Sequence, residues 1–508
     1  MNNWTRKDFL KASLTVGGAA LLTRNRVAAA AAPGSANGDI RIAVVGINAQ
    51  GAGHIKTYYD MPGTRLVALC DADEAVLNKR VAECAAKKIT VKPYQDYRKL
   101  LEDKEVDAVV CAPPNHWHSL MTIWALQAGK DIYIEKPLSH NIWEGRQVVE
   151  ATKKYTKNIA VAGTQNRSSL DIMEAIQYIH SGKLGKIQWA RGLCYKARES
   201  IGQSKGPQKV PDSVNYDLWT GPADMAPSRR NGPRGGPIHY DWHWFWNYGG
   251  GDISNQGIHQ VDVARWMLGE SGLPQSVQSF GGRFGYQDDA ETPNTLISVY
   301  NYAKAPMIFE VRGMYRKANE RTPEGKEVKA MDVYRGLARV GVVVQCENGY
   351  VHIGENGSGA IYDNDKKLIK ALSQGGQGDH RKNFVKALQD RKVAHGLIQE
   401  AHISTALCHL GNISYLVGAE KSNAAIAEAI KASEPTKEAF ARTLDHLKAN
   451  EVQTDKVPTV LGPVLAIDSK TEMFTGAEKE IVAAANKNPI RKRTGRGAFA
   501  IPVITKMG

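Results

Sequence analysis

Residues 40–51 read Ile40-Arg41-Ile42-Ala43-Val44-Val45-Gly46-Ile47-Asn48-Ala49-Gln50-Gly51, a β-branched apolar run that stops at a glycine. Such a run is the pattern of a buried strand, and the stretch from Ala52 onward has helical character. Gly46 and Gly51 keep the outer spacing of a G-x-G-x-x-G turn, with Asn48 at the middle glycine position. The turn needs residues that accept unusual backbone angles, so that amides and the helix N-terminus can meet a pyrophosphate, and Asn tolerates such angles better than most. Asp71 closes the next apolar segment, 25 residues after Gly46. An acid at that place holds ribose hydroxyls and repels a 2′-phosphate, which favours NAD over NADP.

Working outward, the alternation continues. Leu66–Leu69 reads as a strand, Ala75–Lys87 as a helix, Val106–Cys111 as a strand and Leu120–Ala128 as a helix. Asp131–Ile134, Glu144–Tyr155 and Ile159–Ala162 complete the series as strand, helix and strand. Strands alternating with helices predict an α/β fold, with a doubly wound parallel Rossmann sheet over 39–163. Past Gly163 the period changes. Ile187 to Tyr195, Thr295 to Tyr302 and Met307 to Val311 alternate polar and apolar residues, and Phe384–Leu388 and Ile398–Val417 are helical in pattern. A second α+β domain with a large, mostly antiparallel open sheet is therefore expected over 164–418. Residues 419–508 form a C-terminal extension with amphipathic helices, a basic tail and no assigned role.

Two loops leave strand ends on the edge where open α/β sheets bind ligands. One is Pro113-Pro114-Asn115-His116-Trp117-His118, the other Glu135-Lys136-Pro137. A lysine there can bond a substrate hydroxyl and, with a lowered pKa, move its proton; the bland alternative is a surface lysine. With these loops, the glycine turn and Gly249-Gly250-Gly251-Asp252-Ile253-Ser254-Asn255-Gln256-Gly257-Ile258-His259, the chain resembles the Gfo/Idh/MocA oxidoreductase family over roughly residues 39–418. The resemblance implies an NAD(P)-binding first domain, a substrate domain, and mostly sugar, inositol or polyol substrates. It also implies that Lys136 and His259 are the catalytic lysine and histidine. The cofactor contacts expected are Gly46, Asn48, Gly51, Asp71, Pro113, Asn115, His118, Glu135, Lys136 and Gln165.

The family's dehydrogenases commonly carry Asp four residues before that histidine, whereas this chain has Asn255. On a continuous helix Asn255 and His259 share a face, so Asn255 would orient the imidazole without a charge, or serve as a helix N-cap. Asp262 would supply the missing carboxylate or pair with Arg265. In His239–Tyr248, tryptophans recur at alternate positions, as in a strand. Trp242 and Trp244 are read as a wall that stacks on sugar C–H faces, with a packed aromatic core as the alternative. Tyr195, Lys196 and Arg198 are further substrate candidates, and Gln165 and Arg167 follow the last Rossmann strand. No His or Cys spacing suggests a metal; His380, His402 and His409 read as structural.

The chain has 508 residues, 66 Lys+Arg against 52 Asp+Glu, and a formal charge of +14. No nucleic-acid module accompanies that charge, so no nucleic-acid partner is expected. Six cysteines without a CxxC pair exclude a disulfide scaffold and a zinc cluster. Residues 1–32 have a basic start, an apolar run and an Ala-rich stretch, which is signal-peptide grammar. The string Thr5-Arg6-Lys7-Asp8-Phe9-Leu10-Lys11 resembles a twin-arginine signal with Lys7 in place of the second arginine. The apolar run is far short of the ~20 residues that span a bilayer, so no permanent anchor is expected. Residues 33–38 form a linker. The protein is expected to be periplasmic or otherwise extracytoplasmic after export, and cytoplasmic if the leader does not function.

The leading expectation is an exported NAD-dependent oxidoreductase acting on a carbohydrate or polyol secondary alcohol or ketone. One alternative is a redox glycosidase that oxidises, eliminates, hydrates and reduces on a retained cofactor. Another is a cofactor-retaining sugar-binding protein without turnover. The resemblance also implies a homo-oligomer, a dimer or tetramer formed through the open sheet.

Overall fold

The computed structural model describes residues 38–228, 236–317, 320–373 and 379–505. The leader and most of the linker lie outside the described residues. The first strand is β1 (Ile40–Val45), buried along its whole length. With β2 (Thr64–Cys70), β3 (Lys92–Tyr94), β4 (Ala108–Cys111), β5 (Asp131–Ile134) and β6 (Ala160–Ala162) it forms a six-stranded sheet in the order β3-β2-β1-β4-β5-β6. Every pairing in it is parallel, and the order reverses between β1 and β4, which places the ligand crevice at their C-terminal ends. The edge strand β3 contains Pro93, which has no N–H for a ladder; proline is tolerated there because only one side is paired.

The second sheet has twelve strands. They are β7 (Ile187–Tyr195), β8 (Ser276–Gly282), β9 (Thr295–Asn301), β10 (Met307–Arg312), β13 (Val340–Cys346), β14 (Gly349–Gly354), β15 (Gly359–Tyr362), β16 (Leu368–Leu372), β17 (Ala419–Lys421), β18 (Thr459–Leu461), β19 (Leu465–Asp468) and β20 (Met473–Thr475). The main path runs β16-β15-β14-β13-β7-β10-β9-β8-β18-β17, while β19 joins β8 and β20 joins β19. A separate pair is formed by β11 (Val333–Tyr334) and β12 (Leu337–Ala338). Only β7 and β10 pair in parallel.

One face of this sheet packs on the helices Leu170–His180, Gly257–Leu268 and Ile398–Leu416, burying Ala190, Cys194, Phe309 and Val344. The other face is covered by the extension. Ile426, Ile430, Ala439 and Phe440 bury Phe280, Ile297, Val299 and Ile308 of the sheet. The open face on which the expectation of self-association rested is thus filled, over these strands, by the chain's own helices Asn423–Ala429 and Glu434–Ala449.

The polar link across this layer is a buried ion network. Glu310, fully enclosed, accepts from Arg442 at 2.5 Å, from the Tyr195 hydroxyl at 2.6 Å and from Arg312 at 3.3 Å, with Arg191 at 3.4 Å. The extension also reaches the Rossmann core, into which Phe499, Ile501 and Ile504 pack. Its basic tail is not a solvated run: Arg493 is buried and donates to the Asn247 carbonyl at 2.8 Å, and Arg496 reaches the Ala223 carbonyl. The six cysteines are free and buried. No helix among the described residues is long and apolar enough to cross a membrane.

Candidate functional site

A cavity of about 590 Å³ opens at the C-terminal ends of β1, β2, β4 and β5, between the Rossmann sheet and β7. Its first wall is the glycine turn. Gly46 has φ +73°, and a Cβ there would lie 2.6 Å from the Pro113 nitrogen; a Cβ on Gly51 would lie 2.1 Å from the Gly46 carbonyl oxygen. Both glycines are therefore required, the first for its backbone angle and the second for the close approach of helix to turn. Asn48 is exposed at the cavity rim, where its carbonyl accepts from Arg80 at 2.7 Å. The helix Gln50–Tyr59 starts soon after, and its N-terminal residues Ala49 and Gln50 border the cavity.

Asp71 ends β2 beside this turn. Its carboxylate accepts from the Ile47 amide at 2.9 Å and the Asp73 amide at 3.0 Å. Burial raises its pKa above the ordinary carboxylate value, partly offset by those amides. A desolvated carboxylate with spare lone pairs is suited to accept from the two hydroxyls of a ribose. Across the cavity Asn115 is buried, and its Oδ1 has no hydrogen-bond partner in the protein. These features fit a dinucleotide: donors at a helix N-terminus, an acid at the second strand and an orphaned acceptor in the third loop.

Glu135 and Lys136 follow β5. Glu135 is buried and accepts from His54 at 2.9 Å, Gln50 at 3.1 Å and Gln165 at 3.2 Å. Desolvation alone would raise its pKa, but His54 leads these partners in holding it well below the usual carboxylate range. Arg381 donates to His54 Nδ1 at 3.3 Å, so His54 Nε2 carries the proton that it gives Glu135. The spacing of Gln50 and His54, one helical turn apart, is the signal that brings both to this carboxylate. The Lys136–Pro137 peptide is cis. Lys136 Nζ donates to the Asn255 carbonyl at 2.9 Å, and burial lowers its pKa from the ordinary value of 10.5. His259 lines the same cavity end, with its pKa pushed down to about 3 by burial and by Lys136.

Several expectations are corrected. Asn255 ends the short helix Gly251–Asn255, and a new helix begins at Gly257, so Asn255 and His259 do not lie on one continuous turn. Nor is Asn255 an N-cap: it supplies its main-chain carbonyl to Lys136, while its side-chain oxygen stands 3.5 Å from the same ammonium. Asp262 pairs not with His259 but with Arg167, at 2.8 and 2.7 Å, and with Ser404 at 2.6 Å; Arg265 is only its distant partner at 3.9 Å. His118 borders the cavity, but its two nitrogens face the Pro137 and Pro113 carbonyls at 2.5 and 2.9 Å, so it ties two loops together and has no polar atom left for a ligand.

The substrate candidates divide. Tyr195 points to the opposite face of the sheet, fully buried against Glu310 and Arg442, because the alternation of β7 sends neighbouring side chains to opposite sides. Lys196 and Arg198 line the cavity. His239–Tyr248 is not a strand but a short helix, Gly236–His239, followed by a 3₁₀ turn, Asp241–Trp244. The alternate spacing of Trp242, Trp244 and Trp246 imitates a strand, but two of them stand in the 3₁₀ turn, where positions two apart do not share a face. Trp242 reaches the cavity, whereas Trp244 is packed behind it, with the Arg198 guanidinium 5.2 Å from its ring centre. His243, stacked on Trp242 at 3.6 Å, and Gln256 complete the wall; neither was singled out, because nothing in their local pattern distinguishes them from packed residues.

His380 also borders the cavity but is bound to Ser168 at 2.6 Å and to the Ala162 carbonyl at 2.9 Å. His402 and His409 are bound to Glu472 and to the Ser139 carbonyl, respectively. Among the described residues no group of three His, Cys, Asp or Glu could hold a metal.

Residues 40–163 match an oxidoreductase family described as an NAD-binding Rossmann fold, and residues 179–330 match the C-terminal alpha/beta domain of the same oxidoreductase family. A glycosyl hydrolase family 109 protein of Shewanella sp. (strain W3-18-1) is 28% identical over 208 residues, 37% of this chain and 45% of that protein. Inositol 2-dehydrogenase 2 of Saccharopolyspora erythraea is 26% identical over 284 residues, 54% of this chain and 70% of that protein. The chain thus spans about half the length of the first of these relatives. A solved levoglucosan dehydrogenase, in complex with NADH and levoglucosan, superposes with a TM-score of 0.53 at 16% identity, over 73% of this chain and 96% of that one; this likeness is one of fold.

Proposed function

Because the chain belongs to the Gfo/Idh/MocA oxidoreductase family, whose two domains together account for more than half of its 508 residues, we propose that it interconverts a secondary alcohol and a ketone on a carbohydrate or polyol, with NAD as cofactor. The observation that carries this reading is one continuous cavity with the glycine turn and Asp71 at one end and Lys136 and His259 at the other. Bound NAD supplies the hydride acceptor or donor. Gly46, Asp71 and Asn115 would hold it, with Gly51 behind the cavity wall allowing the helix to meet the turn, and Asp71 would favour NAD over NADP by repelling a 2′-phosphate.

Lys136 is the base for the hydroxyl proton. Its N–H bond to the Asn255 carbonyl fixes the amine, and its lowered pKa makes the neutral form accessible. When neutral, the nitrogen has its lone pair free to take the proton. His259, neutral at physiological pH, accepts or donates one hydrogen bond to the same oxygen and orients it. Native mass spectrometry of the purified protein tests the cofactor: NAD retained or taken up supports the assignment, and NADP alone overturns it.

The second reading, a redox glycosidase with retained NAD, is favoured by the likeness to a glycosyl hydrolase family 109 protein. Aryl glycosides offered without added cofactor separate the two: release of the aglycone supports the glycosidase, and a keto-sugar without release supports the dehydrogenase. Export rests on the three-part layout of residues 1–32, and an intact N-terminus on cytosolic protein in the native cell would overturn it. A homo-oligomer, if formed through the second sheet, would have to use a surface other than the face covered by the extension.

A further inference from the structure

We propose that the substrate carries a single negative charge, a carboxylate on the sugar, and that Lys196 receives it; this rests on reading the cavity as the sugar site. Lys196 stands just past β7, half-buried at the cavity wall. Its ammonium donates to the Gln256 Oε1 at 2.8 Å, and among the described residues no carboxylate lies within 4.0 Å of it. The other charges of this wall are matched. Arg198 is bound at both ends by Asp252, at 2.7 Å twice, and by the Tyr240 hydroxyl at 2.9 Å. Glu135 is satisfied by His54, Gln50 and Gln165.

The remaining acids of the cavity belong to its cofactor end or have their own cations. Asp73 meets His239 at 3.1 Å, Asp96 meets Arg98 at 2.6 Å, and Asp379 meets Lys382 at 2.8 Å. Glu355, whose charge also acts on Lys196, lies 3.7 Å from Arg339. The substrate end therefore holds two lysines, Lys136 and Lys196, with no carboxylate of their own. Lys136 is accounted for by proton transfer.

Lys196 has no such account, and leaving an ammonium half out of water beside Arg198 is unfavourable: burial and Arg198 both lower its pKa. An anionic substrate reverses that penalty. One ammonium balances one charge, which suits a carboxylate better than a dianionic phosphate.

The test titrates the NAD-loaded protein calorimetrically with the methyl glycosides of glucuronic, galacturonic and mannuronic acid, each against its neutral parent. A hydrogen bond to a charged group predicts at least about tenfold tighter binding of one acid than of its parent. In Lys196→Gln that preference should fall to within roughly twofold, with NAD affinity unchanged. Equal binding of every acid and parent overturns the proposal, and so does a preference that survives in Lys196→Gln. If a 6-sulfated glucoside binds with the Lys196-dependent preference and no uronoside does, the carboxylate assignment is overturned. Charge-dependent binding without any reduction of the cofactor would sink the oxidoreductase reading and leave the charge assignment standing.

Discussion

The ammonium nitrogen of Lys136 donates at 2.9 Å to the main-chain carbonyl of Asn255, 119 residues further along the chain. This bond joins the loop after β5 to the glycine-rich segment that presents His259. It uses a carbonyl rather than a carboxylate, so it positions the amine without stabilising its charged form as strongly as an acid would.

Loss of Lys136 should abolish turnover and spare cofactor binding. Lys136→Met is expected to lower kcat by about 10²–10⁴, the usual contribution of a positioned acid–base group. Steady-state kinetics beside NAD titration checks this, and a parallel loss of NAD affinity would assign Lys136 to cofactor binding instead.

The pH profile carries a sign. As a base Lys136 must be neutral, so kcat/KM for oxidation should rise with pH through a value below 10.5 and then level. His259, with its pKa near 3, is neutral throughout and should contribute no step in the ordinary imidazole range. A limb near pH ~6.5 that disappears in His259→Asn would contradict this.

The glycine turn predicts a steric effect. In Gly51→Ala the new methyl meets the Gly46 carbonyl at 2.1 Å, which is backbone and cannot step aside. NAD binding should be lost, with about 1–3 kcal/mol of stability. Asp71→Asn keeps one acceptor oxygen where the Ile47 and Asp73 amides use both, so it should cost about 1–3 kcal/mol, weaken NAD by about tenfold and narrow the preference over NADP; fluorescence titration with both cofactors decides.

Glu310 sits among Arg191, Arg312 and Arg442 with almost no exposure. Glu310→Ala removes the carboxylate shared by Arg191, Arg312 and Arg442, which keep only the more exposed Glu438 and Asp332 as partners, and should cost about 3 kcal/mol in urea unfolding. The arginines hold the Glu310 pKa below its ordinary value despite burial. Its stabilisation is therefore present above the unfolded-state value, ~4.3, and lost as pH falls through the lower folded value. The gap between wild type and the variant should shrink in acid.

Much of the fold was legible. β5 and β7 lie where the apolar pattern places them, and β1 and the turn after it follow from one run and two glycines. What was not legible has identifiable causes. Pro93 disguises β3, and the alternate tryptophans of 242–246 imitate a strand although two of them sit in a 3₁₀ turn.

The extension was opaque for a different reason. The bond from Arg442 to the Tyr195 hydroxyl joins residues 247 apart, and nothing local in either segment announces it. In the site, Gly46, Gly51, Asp71 and Lys136 could be singled out from their places after strands, whereas His259 came from the family resemblance alone; the structure brings Gly46, Asp71, Lys136 and His259 to one cavity. Asn255 lines the cavity, and its closer bond to Lys136 is made by a main-chain carbonyl that any residue possesses, which no residue type announces.

Oxidation of a sugar by NAD at Lys136 is the proposed reaction. Its most direct test mixes the NAD-loaded protein with a panel of sugars, polyols and uronosides and follows the absorbance of reduced nicotinamide. Reduction by at least one of them is expected, slowed about 10²–10⁴-fold in Lys136→Met with NAD still bound. Absence of reduction across the panel, or equal reduction by wild type and Lys136→Met, would contradict it.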